Sequence, residues 1–361
     1  MKELRLMKGN EAMAEAAIRC GADGYFGYPI TPQSEVLEYL MAERPWDRTG
    51  MVVLQAESEV AAINMIYGGA STGKKVLTSS SSPGISLKQE GLSYLAGAEL
   101  PCVVINVVRG GPGLGDIQPS QSDYFQSVKG GGHGDYRLFV IAPSSVQEAS
   151  DFVKHAFDVA FKYRIPSLIL SDGAIGQMME KVELFATTPR LTDEEVIEKY
   201  GEWATTGKTA DRERNIITSL DLIPERLEEH NKKLQAKYRE IEKNEVMYEE
   251  IQCDDADYVI VAYGTSARIS QKTVQLAREK GIKLGLMRPI TLWPFPKKVI
   301  AGYADTKKAL LSVEMSEGQM VEDVMLNVSG KIPVKHFGRS GGIIPSPDEV
   351  LMALEQFIKE V

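Results

Sequence analysis

The chain contains two stretches in which strand-like and helix-like patterns alternate, and a highly charged segment separates them. In the first stretch, apolar and β-branched runs predict strands at residues 24–30, 51–54, 75–78, 101–108, 138–142 and 166–171. Helical patterns lie between these runs, most clearly at 11–19, 85–98 and 147–163. Strands that alternate with helices predict a parallel sheet with helices on both faces.

The second stretch predicts another α/β unit in the C-terminal part of the chain. Its strands are expected at 258–262, 283–287, 309–314 and 334–337, and a final helix at 346–358. The intervening residues 190–250 are rich in Glu and Lys, which is typical of a solvated helix or linker arm. The alternative is a segment that wraps a partner or closes over the site. We therefore predict an α/β domain at 1–188, a charged linker or arm at 189–250 and a second α/β domain at 251–361.

Composition and charge narrow the classes of function. The 361 residues are 43% hydrophobic and 25% charged, as in ordinary globular proteins. The net charge of −9 argues against a nucleic-acid-binding or membrane-surface protein. The three cysteines are far apart and form no CxxC pair, so we expect no disulfide framework and no iron–sulfur cluster built by this chain alone. No signal peptide or membrane-spanning run is visible, and we expect a cytoplasmic protein.

Four loops follow predicted strands and contain the residues that could perform chemistry. In open parallel sheets, ligands bind beyond the carboxyl ends of the strands, so these loops are expected to converge. They are residues 28–32 (YPITP), 55–59 (QAESE), 78–84 (TSSSSPG) and 109–115 (RGGPGLG).

Three side chains in these loops are candidates for a site. Glu59 is expected in the first turn of a helix, where the helix dipole favours an anion and burial favours the neutral acid. Such an acid suits proton transfer, although acids also serve as simple caps there. Arg109 follows an apolar strand and could clamp a carboxylate or form a structural ion pair. Thr31, placed before Pro32, predicts a helix N-cap or a hydrogen-bond donor to a ligand.

Several common catalytic motifs are absent. The serine run lacks the spacing of a P-loop, and the glycines after Arg109 do not form a dinucleotide-binding fingerprint. HExxH and GxSxG are also missing, which leaves metal hydrolysis and serine-triad hydrolysis without support. His133 lies in a glycine-rich turn and is equally consistent with a site residue and an ordinary turn histidine.

Taken together, these loops resemble one family. Residues 27–32 (GYPITP), 57–59 (ESE), 81–84 (SSPG), 109–112 (RGGP), 133–135 (HGD) and 287–296 (MRPITLWPFP) are similar to the alpha subunit of 2-oxoacid:ferredoxin oxidoreductases. The resemblance covers nearly the whole chain, and the order and spacing of the motifs make it specific. The sequences of residues 55–65 and 118–124 are most similar to those of the branched-chain, 2-oxoisovalerate-type members.

The resemblance implies a thiamine diphosphate enzyme with a divided active site. It implies a pyrimidine-type thiamine-diphosphate-fold domain, followed by a domain like the C-terminal domain of transketolase. By matching position, Glu59 and not Glu57 is expected to hydrogen-bond N1′ of the cofactor, and Thr31 and Arg109 to bind the substrate. The further cofactor-binding residues that the resemblance implies are Tyr28, Pro29, Ile30 and Ser82.

Partners and alternatives follow from the same resemblance. A beta subunit is expected to bind the diphosphate and Mg²⁺, with a gamma subunit, a ferredoxin-like delta subunit carrying [4Fe–4S] clusters, and ferredoxin as further partners. Coenzyme A and a 2-oxoacid are the expected substrates. The alternatives are a 2-oxoglutarate enzyme, for which Lys129 and Arg137 are candidate cations, a non-oxidative thiamine-dependent decarboxylase subunit, and a non-catalytic assembly subunit.

Overall fold

The computed structural model describes residues 3–208, 210 and 212–361. Its strands are β1 (Glu3–Lys8), β2 (Gly24–Gly27), β3 (Val52–Gln55), β4 (Val76–Ser80), β5 (Cys102–Val108), β6 (Phe139–Ile141), β7 (Pro166–Asp172), β8 (Met179–Leu184), β9 (Tyr248–Ile251), β10 (Tyr258–Val261), β11 (Leu284–Pro289), β12 (Thr291–Trp293), β13 (Ala309–Glu314) and β14 (Val334–Gly338). Its helices are α1 (Gly9–Arg19), α2 (Ser34–Glu43), α3 (Pro45–Arg48), α4 (Glu59–Ser71), α5 (Ser82–Gly97), α6 (Tyr124–Val128), α7 (Val146–Tyr163), α8 (Gly173–Gln177), α9 (Asp193–Tyr200), α10 (Pro224–Asn244), α11 (Gly264–Glu279), α12 (Lys297–Tyr303), α13 (Met320–Val328) and α14 (Pro347–Glu360).

Two large sheets contain most of these strands, β1 and β8 form a separate two-stranded sheet, and the predicted α/β architecture is confirmed. The first sheet has seven strands in the order β12-β6-β7-β5-β4-β2-β3, parallel except for the edge strand β12. The second has five strands in the order β14-β13-β10-β11-β9, with β9 antiparallel. Because β12 pairs with β6, a segment from the C-terminal third joins the first sheet. The predicted boundaries at 188 and 251 stay a prediction.

Strand β5 lies in the core, and apart from Asn106 all of its residues are apolar. All residues of β5 are buried, because helices cover both faces of a parallel sheet. Helix α1 packs on α7 through small side chains, with Ala12, Ala16 and Ala17 fully buried. The antiparallel pair β1–β8 was not predicted from the sequence.

The strand order places the four candidate loops side by side. Strands β5, β4, β2 and β3 are consecutive neighbours in the first sheet and run parallel, so their carboxyl ends form one continuous edge. The loops after these four strands contain Arg109, Ser82, Thr31 and Glu59, respectively. The expected convergence of the loops at one edge is therefore confirmed.

The charged segment forms an arm that packs along one of its sides. Helix α10 buries Leu234, Tyr238 and Ile241, which lie at helical spacing, while most of its other side chains are exposed. Glu99, at the end of α5, forms ion pairs with Lys233 and Lys237 of this helix. Residues 224–244 are therefore helical and largely exposed, and the role of the segment at 189–250 stays a prediction.

Candidate active site

Glu59 is the first residue of α4 and is only 7% exposed. The preceding Ser58 caps the helix, since its hydroxyl accepts a hydrogen bond from the Ala61 amide at 3.1 Å. Across the helix pair, a Cβ atom on Gly84 would lie 2.7 Å from Glu59 Oε1. The carboxylate therefore occupies space that only a glycine in the first turn of α5 leaves open. Within the described residues, no side chain or backbone amide donates a hydrogen bond to it.

Ser82 connects the start of α5 to the end of β5. Its hydroxyl accepts a hydrogen bond from the Arg109 amide at 3.1 Å, and its own amide donates to Asn106 Oδ1 at 3.2 Å. Asn106 in turn donates to the Asp123 carboxylate at 2.8 Å. Burial raises the pKa of Asp123, although the hydrogen bonds from Asn106 and Ser82 oppose this shift. This network holds the loops after β4 and β5 together.

Arg109 is buried and is held by backbone carbonyl groups. Its Nη1 donates to the Thr31 carbonyl at 2.9 Å and its Nη2 to the Leu114 carbonyl at 3.0 Å. Its Nε has no partner among the described residues, and no carboxylate in that part of the chain pairs with the guanidinium. The alternative of a structural ion pair therefore has no support, and a positively charged donor stays available for an anion.

Thr31 does not cap a helix, contrary to the expectation from Thr31–Pro32. Helix α2 begins at Ser34, and Gln33 is its N-cap residue. The Pro32 carbonyl instead accepts hydrogen bonds from the side chains of Asn10 at 2.7 Å and Gln177 at 2.9 Å, so it does not begin the helical ladder. The Thr31 side chain is exposed at the sheet edge, beside Arg109.

The three residues before Thr31 form the rest of the loop after β2. The Gln33 side chain closes this loop by donating to the Tyr28 carbonyl at 3.0 Å. Tyr28 and Ile30 are half-buried, and Pro29 is exposed. The structure therefore places all of the proposed substrate and cofactor contacts along one edge of the sheet, although on different loops.

Three further polar side chains lie in this region; Ser80 and Ser81 belong to the serine run of a candidate loop, which the sequence left open as a polar loop or a set of donors for an anion, and only Lys88 was missed. Lys88 is fully buried in α5, one helical turn after Gly84, and burial lowers its pKa to about 8. The hydroxyl groups of Ser80 and Ser81 are buried and lack partners among the described residues. The spacing of Lys88 from Gly84, Leu92 and Leu95 could have identified it, because those positions share the inner face of one helix.

Three residues considered in the sequence lie elsewhere. His133 lines a cavity of about 570 Å³ between α5 and the arm, where its ring meets Tyr94 edge to face with 6.1 Å between the ring centroids. Along α5, that cavity begins about 16 Å from Ser82. Lys129 and Arg137 line a different cavity of about 280 Å³, and Lys129 pairs there with Asp323.

The described residues contain no group of three or more His, Cys, Asp and Glu side chains arranged to hold a metal ion. All three cysteines are buried and free. None of the helices in the described part of the chain combines the length and hydropathy that crossing a bilayer requires.

Comparison with protein families and curated proteins identifies close relatives. Residues 15–250 match the family described as "Pyruvate flavodoxin/ferredoxin oxidoreductase, thiamine diP-bdg", and residues 256–350 match "Pyruvate:ferredoxin oxidoreductase core domain II". The chain is 49% identical to the ketoisovalerate oxidoreductase subunit VorB of Methanothermobacter thermautotrophicus, over 98% of this chain and 97% of that one. It is 35% identical to the 2-oxoglutarate synthase subunit KorA of Methanothermobacter marburgensis, over 97% and 98% of the two chains.

Solved structures show the same relationship. The 2-oxoglutarate:ferredoxin oxidoreductase of Magnetococcus marinus, solved with 2-oxoglutarate, coenzyme A and succinyl-CoA bound, matches with a TM-score of 0.85 at 25% identity. This match covers 99% of the present chain and 66% of the other. A split-gene transketolase, solved as an inactive tetramer of four beta chains, matches with a TM-score of 0.60 at 12% identity over 98% of both chains. At this identity the match shows a similar fold and nothing more.

These findings confirm the family that the loop motifs indicated. They also confirm the fold class, since the relatives combine a thiamine-diphosphate-binding domain with a transketolase-like arrangement. The curated relatives are subunits, which implies that this chain has partner subunits. The chain belongs to the 2-oxoacid:ferredoxin oxidoreductase family, whose members transfer electrons from a 2-oxoacid to an iron–sulfur protein.

Proposed function

We propose that this chain is the alpha-type subunit of an enzyme that oxidatively decarboxylates 2-oxoisovalerate with coenzyme A. The products are an acyl-CoA, CO₂ and reduced ferredoxin. One observation carries the proposal: the Glu59 side chain is enclosed against Gly84 at the sheet edge, only 7% exposed, and within the described residues its carboxylate oxygens accept no hydrogen bond. A ligand that donates a hydrogen bond to these oxygens would replace the small solvent contact that they retain with a directed partner.

The residues at this edge fit the aminopyrimidine end of thiamine diphosphate. The absence of a Cβ on Gly84 leaves room beside Glu59, and Arg109 Nε and the hydroxyls of Ser80 and Ser81 are unpaired among the described residues. When bound, thiamine diphosphate supplies a carbon nucleophile that adds to the 2-oxo carbon of the substrate. We propose that Tyr28, Pro29, Ile30 and Ser82 form the surface against which the cofactor rests.

Each proposed catalytic group has a distinct task. Glu59 would hold or exchange a proton at N1′ of the bound cofactor, because its carboxyl group is fixed at the first turn of α4. Arg109 attracts the substrate carboxylate, because it is buried and bears one unpaired donor within the described structure. Thr31 lies on the loop that Arg109 holds and donates its hydroxyl to the substrate. Together the two residues orient the carbon–carbon bond that breaks.

The branched-chain substrate is favoured over 2-oxoglutarate by the relatives and by the position of the cations. The relative that is 49% identical is named a ketoisovalerate oxidoreductase subunit, whereas the 2-oxoglutarate synthase subunit is 35% identical. A second carboxylate would need a second cation near Arg109. The candidates Lys129 and Arg137 instead face the cavity beside Asp323.

We also propose that partner chains complete the site. Exposed apolar side chains flank the candidate residues, with Val60 after Glu59, Leu87 on α5 and Leu114 in the Arg109 loop. Exposed apolar surface of this kind suits a protein interface. The expected neighbours are a beta subunit that binds the diphosphate and Mg²⁺, a gamma subunit, and a ferredoxin-like delta subunit with [4Fe–4S] clusters. The buried, separated cysteines of this chain are consistent with clusters held elsewhere.

The test is reconstitution with a co-purifying chain that bears CxxCxxC motifs, followed by viologen reduction with 2-oxoisovalerate and coenzyme A. Glu59→Gln removes the ionisable carboxyl group and keeps nearly the same side-chain shape, and we expect turnover to fall at least about 100-fold. Glu57→Gln is the matched control, because Glu57 is exposed two residues away and should leave turnover unchanged.

Four outcomes would contradict the proposal. Wild-type turnover by the Glu59→Gln complex would remove Glu59 from the mechanism. Activity of the isolated chain would exclude a divided site. Decarboxylation without viologen reduction would favour the non-oxidative alternative, and full activity of a complex lacking this chain would leave it as an assembly subunit.

A further inference from the structure

Lys88 is a fully buried lysine at the base of the candidate site. Its Nζ donates to the Thr78 hydroxyl at 3.3 Å and to the Glu59 carbonyl at 3.5 Å. Burying an ammonium group without a paired carboxylate is costly, and lysine is almost never fully buried unless paired. Within the described residues, no carboxylate lies in ion-pair contact with it. If the side chain at this position only filled space in the core, Met or Leu would be more favourable than Lys.

The packing of α4 on α5 explains how Lys88 comes to face Glu59. A Cβ on Gly84 would lie 2.7 Å from Glu59 Oε1, and a Cβ on Gly91 would lie 2.6 Å from Ile63 Cγ1. Gly84 and Gly91 therefore let the two helices approach closely, and Lys88 lies between them on the same face of α5. Its amine is thus directed at the first turn of α4, where Glu59 begins the helix.

Among the described residues, Glu59 is the one charged group that faces Lys88. From α4, the facing charged group is Glu59, and from β4 the facing group is the neutral hydroxyl of Thr78. Burial lowers the pKa of Lys88 to about 8, and Glu59 raises it in part. Among the described residues, no other ionisable group contributes to this balance. The amine is therefore mostly charged at neutral pH and loses its charge in the alkaline range.

We propose that Lys88 is a positioning residue for the reaction: its ammonium group anchors the first turn of α4 through the Glu59 carbonyl and supplies the positive potential at the Glu59 carboxylate. This inference rests on the proposed function of Glu59. In this arrangement the Lys88 ammonium group influences the reaction through Glu59 and makes no contact with the substrate. Turnover should therefore decline as Lys88 loses its proton, even though Glu59, Arg109 and Thr31 are unchanged.

The first test measures the coupling without turnover. The titration of Lys88 is followed by NMR of ¹³C-lysine-labelled full chain, with its signal assigned from the Lys88→Met spectrum. In Glu59→Gln the negative neighbour is lost, and the pKa of Lys88 should fall by about one pH unit. An unchanged titration in Glu59→Gln would overturn the inference, whatever the activity of that variant.

The second test is the pH profile of the reconstituted complex. We expect the wild-type kcat to decline on the alkaline side with a midpoint near pH 8, following the charge of Lys88. Lys88→Met should have about tenfold lower kcat at neutral pH, with KM little changed and no such alkaline decline. Lys75→Met is the matched control, because the Lys75 amine also bonds a backbone carbonyl, that of Cys20 at 3.0 Å, at the opposite end of β4.

The outcomes separate this inference from the proposed function. A Lys88→Met complex with wild-type kcat and an unchanged alkaline decline would overturn the role of Lys88 alone. Wild-type turnover by Glu59→Gln would overturn the proposed function. If Lys88→Met does not fold, the NMR titration can be assigned with Lys88→Gln or by sequential methods, and its result decides the question.

Discussion

At the scale of single residues, the site depends on a small side chain as much as on charged ones. Gly84 lies in the first turn of α5, opposite Glu59, and the Ser80 hydroxyl lies on its other side. A methyl group there would meet Glu59 Oε1 at 2.7 Å and Ser80 Oγ at 2.1 Å. Both contacts are with the ends of side chains, so a methyl group would be accommodated by a shift of the Glu59 carboxylate and the Ser80 hydroxyl.

Gly84→Ala should therefore displace the Glu59 carboxylate while the fold persists. We expect a loss of turnover of about 100-fold, because a shift of about 1 Å in a catalytic group has that effect. The free energy of unfolding should fall by about 1–3 kcal/mol. Viologen reduction and thermal unfolding measure the two effects.

Gly68→Ala is the control for that substitution. Gly68 lies on α4, and a Cβ there would meet nothing within 4 Å. The change should stabilise the helix by about 0.5–1 kcal/mol and leave turnover intact. If Gly84→Ala behaved like Gly68→Ala, the Glu59 carboxylate would not need the space at Gly84.

At the scale of elements, the arm helix α10 is attached to the first sheet domain by a buried carboxylate. Glu99 is 7% exposed and pairs with Lys233 and Lys237, and Lys237 also donates to the Arg164 carbonyl at 2.9 Å. His230 lies next to the Gly97 carbonyl at 2.7 Å. The arm therefore docks through polar contacts at its centre and apolar contacts at Leu234 and Tyr238.

This attachment should weaken in acid. Burial opposes the charge of Glu99, but the two lysines dominate and lower its pKa to about 2 from an ordinary 4.5. A carboxyl whose pKa is lower in the folded state stabilises that state fully above the ordinary pKa, and the contribution is lost as the pH falls from 4.5 towards 2. The contribution at neutral pH is on the order of 2–3 kcal/mol.

The protection of the amides of residues 224–244 against exchange, relative to their intrinsic rates, should therefore fall below about pH 4.5 before that of β5. Glu99→Gln should show the faster exchange already at neutral pH. Arm exchange that is the same in wild type and Glu99→Gln at neutral pH would contradict this account of the docking.

At the scale of the whole molecule, one glutamine joins the two sheets. Gln121 donates to the Tyr263 carbonyl at 2.8 Å, and its Oε1 accepts from Ser266 Oγ at 2.7 Å and from the Met315 amide at 2.9 Å. Asp172 adds a second link, because it accepts from the Thr265 hydroxyl at 2.6 Å. Burial raises the pKa of Asp172, and the hydrogen bonds from Thr265 oppose this shift.

Gln121→Ala should loosen the second sheet from the first. Three buried groups would lose their partner, which costs about 1–3 kcal/mol for each group that stays unpaired. Urea unfolding should show a lower midpoint, and amide exchange in β13 should accelerate relative to β5. Gln118→Ala is the control, since Gln118 is exposed, and an equal effect of both changes would contradict the link.

Most strands of both sheets were predictable because buried parallel strands are nearly continuous apolar runs, as in β5 and β10. Strands β1, β8, β9 and β12 were not predicted, because they are short and their partners are distant in sequence, whereas β6, the partner of β12, was predicted at 138–142. The start of α4 at Glu59 was predictable from local capping chemistry. The start of α2 was not, since distant Asn10 and Gln177 bind the Pro32 carbonyl.

The sequence by itself determined the two α/β units, the family, and the choice of Glu59, Arg109 and Thr31 as candidates, because these depend on local periodicity and short motifs. Only the tertiary structure decided that Arg109 is held by the carbonyls of Thr31 and Leu114 and lacks an ion-pair partner among the described residues. It also decided that Gly84 makes room for Glu59 and that Lys88 is buried beside it. The physical reason is that burial and contact across the helix pair depend on how α4 and α5 pack, and local sequence does not specify that packing.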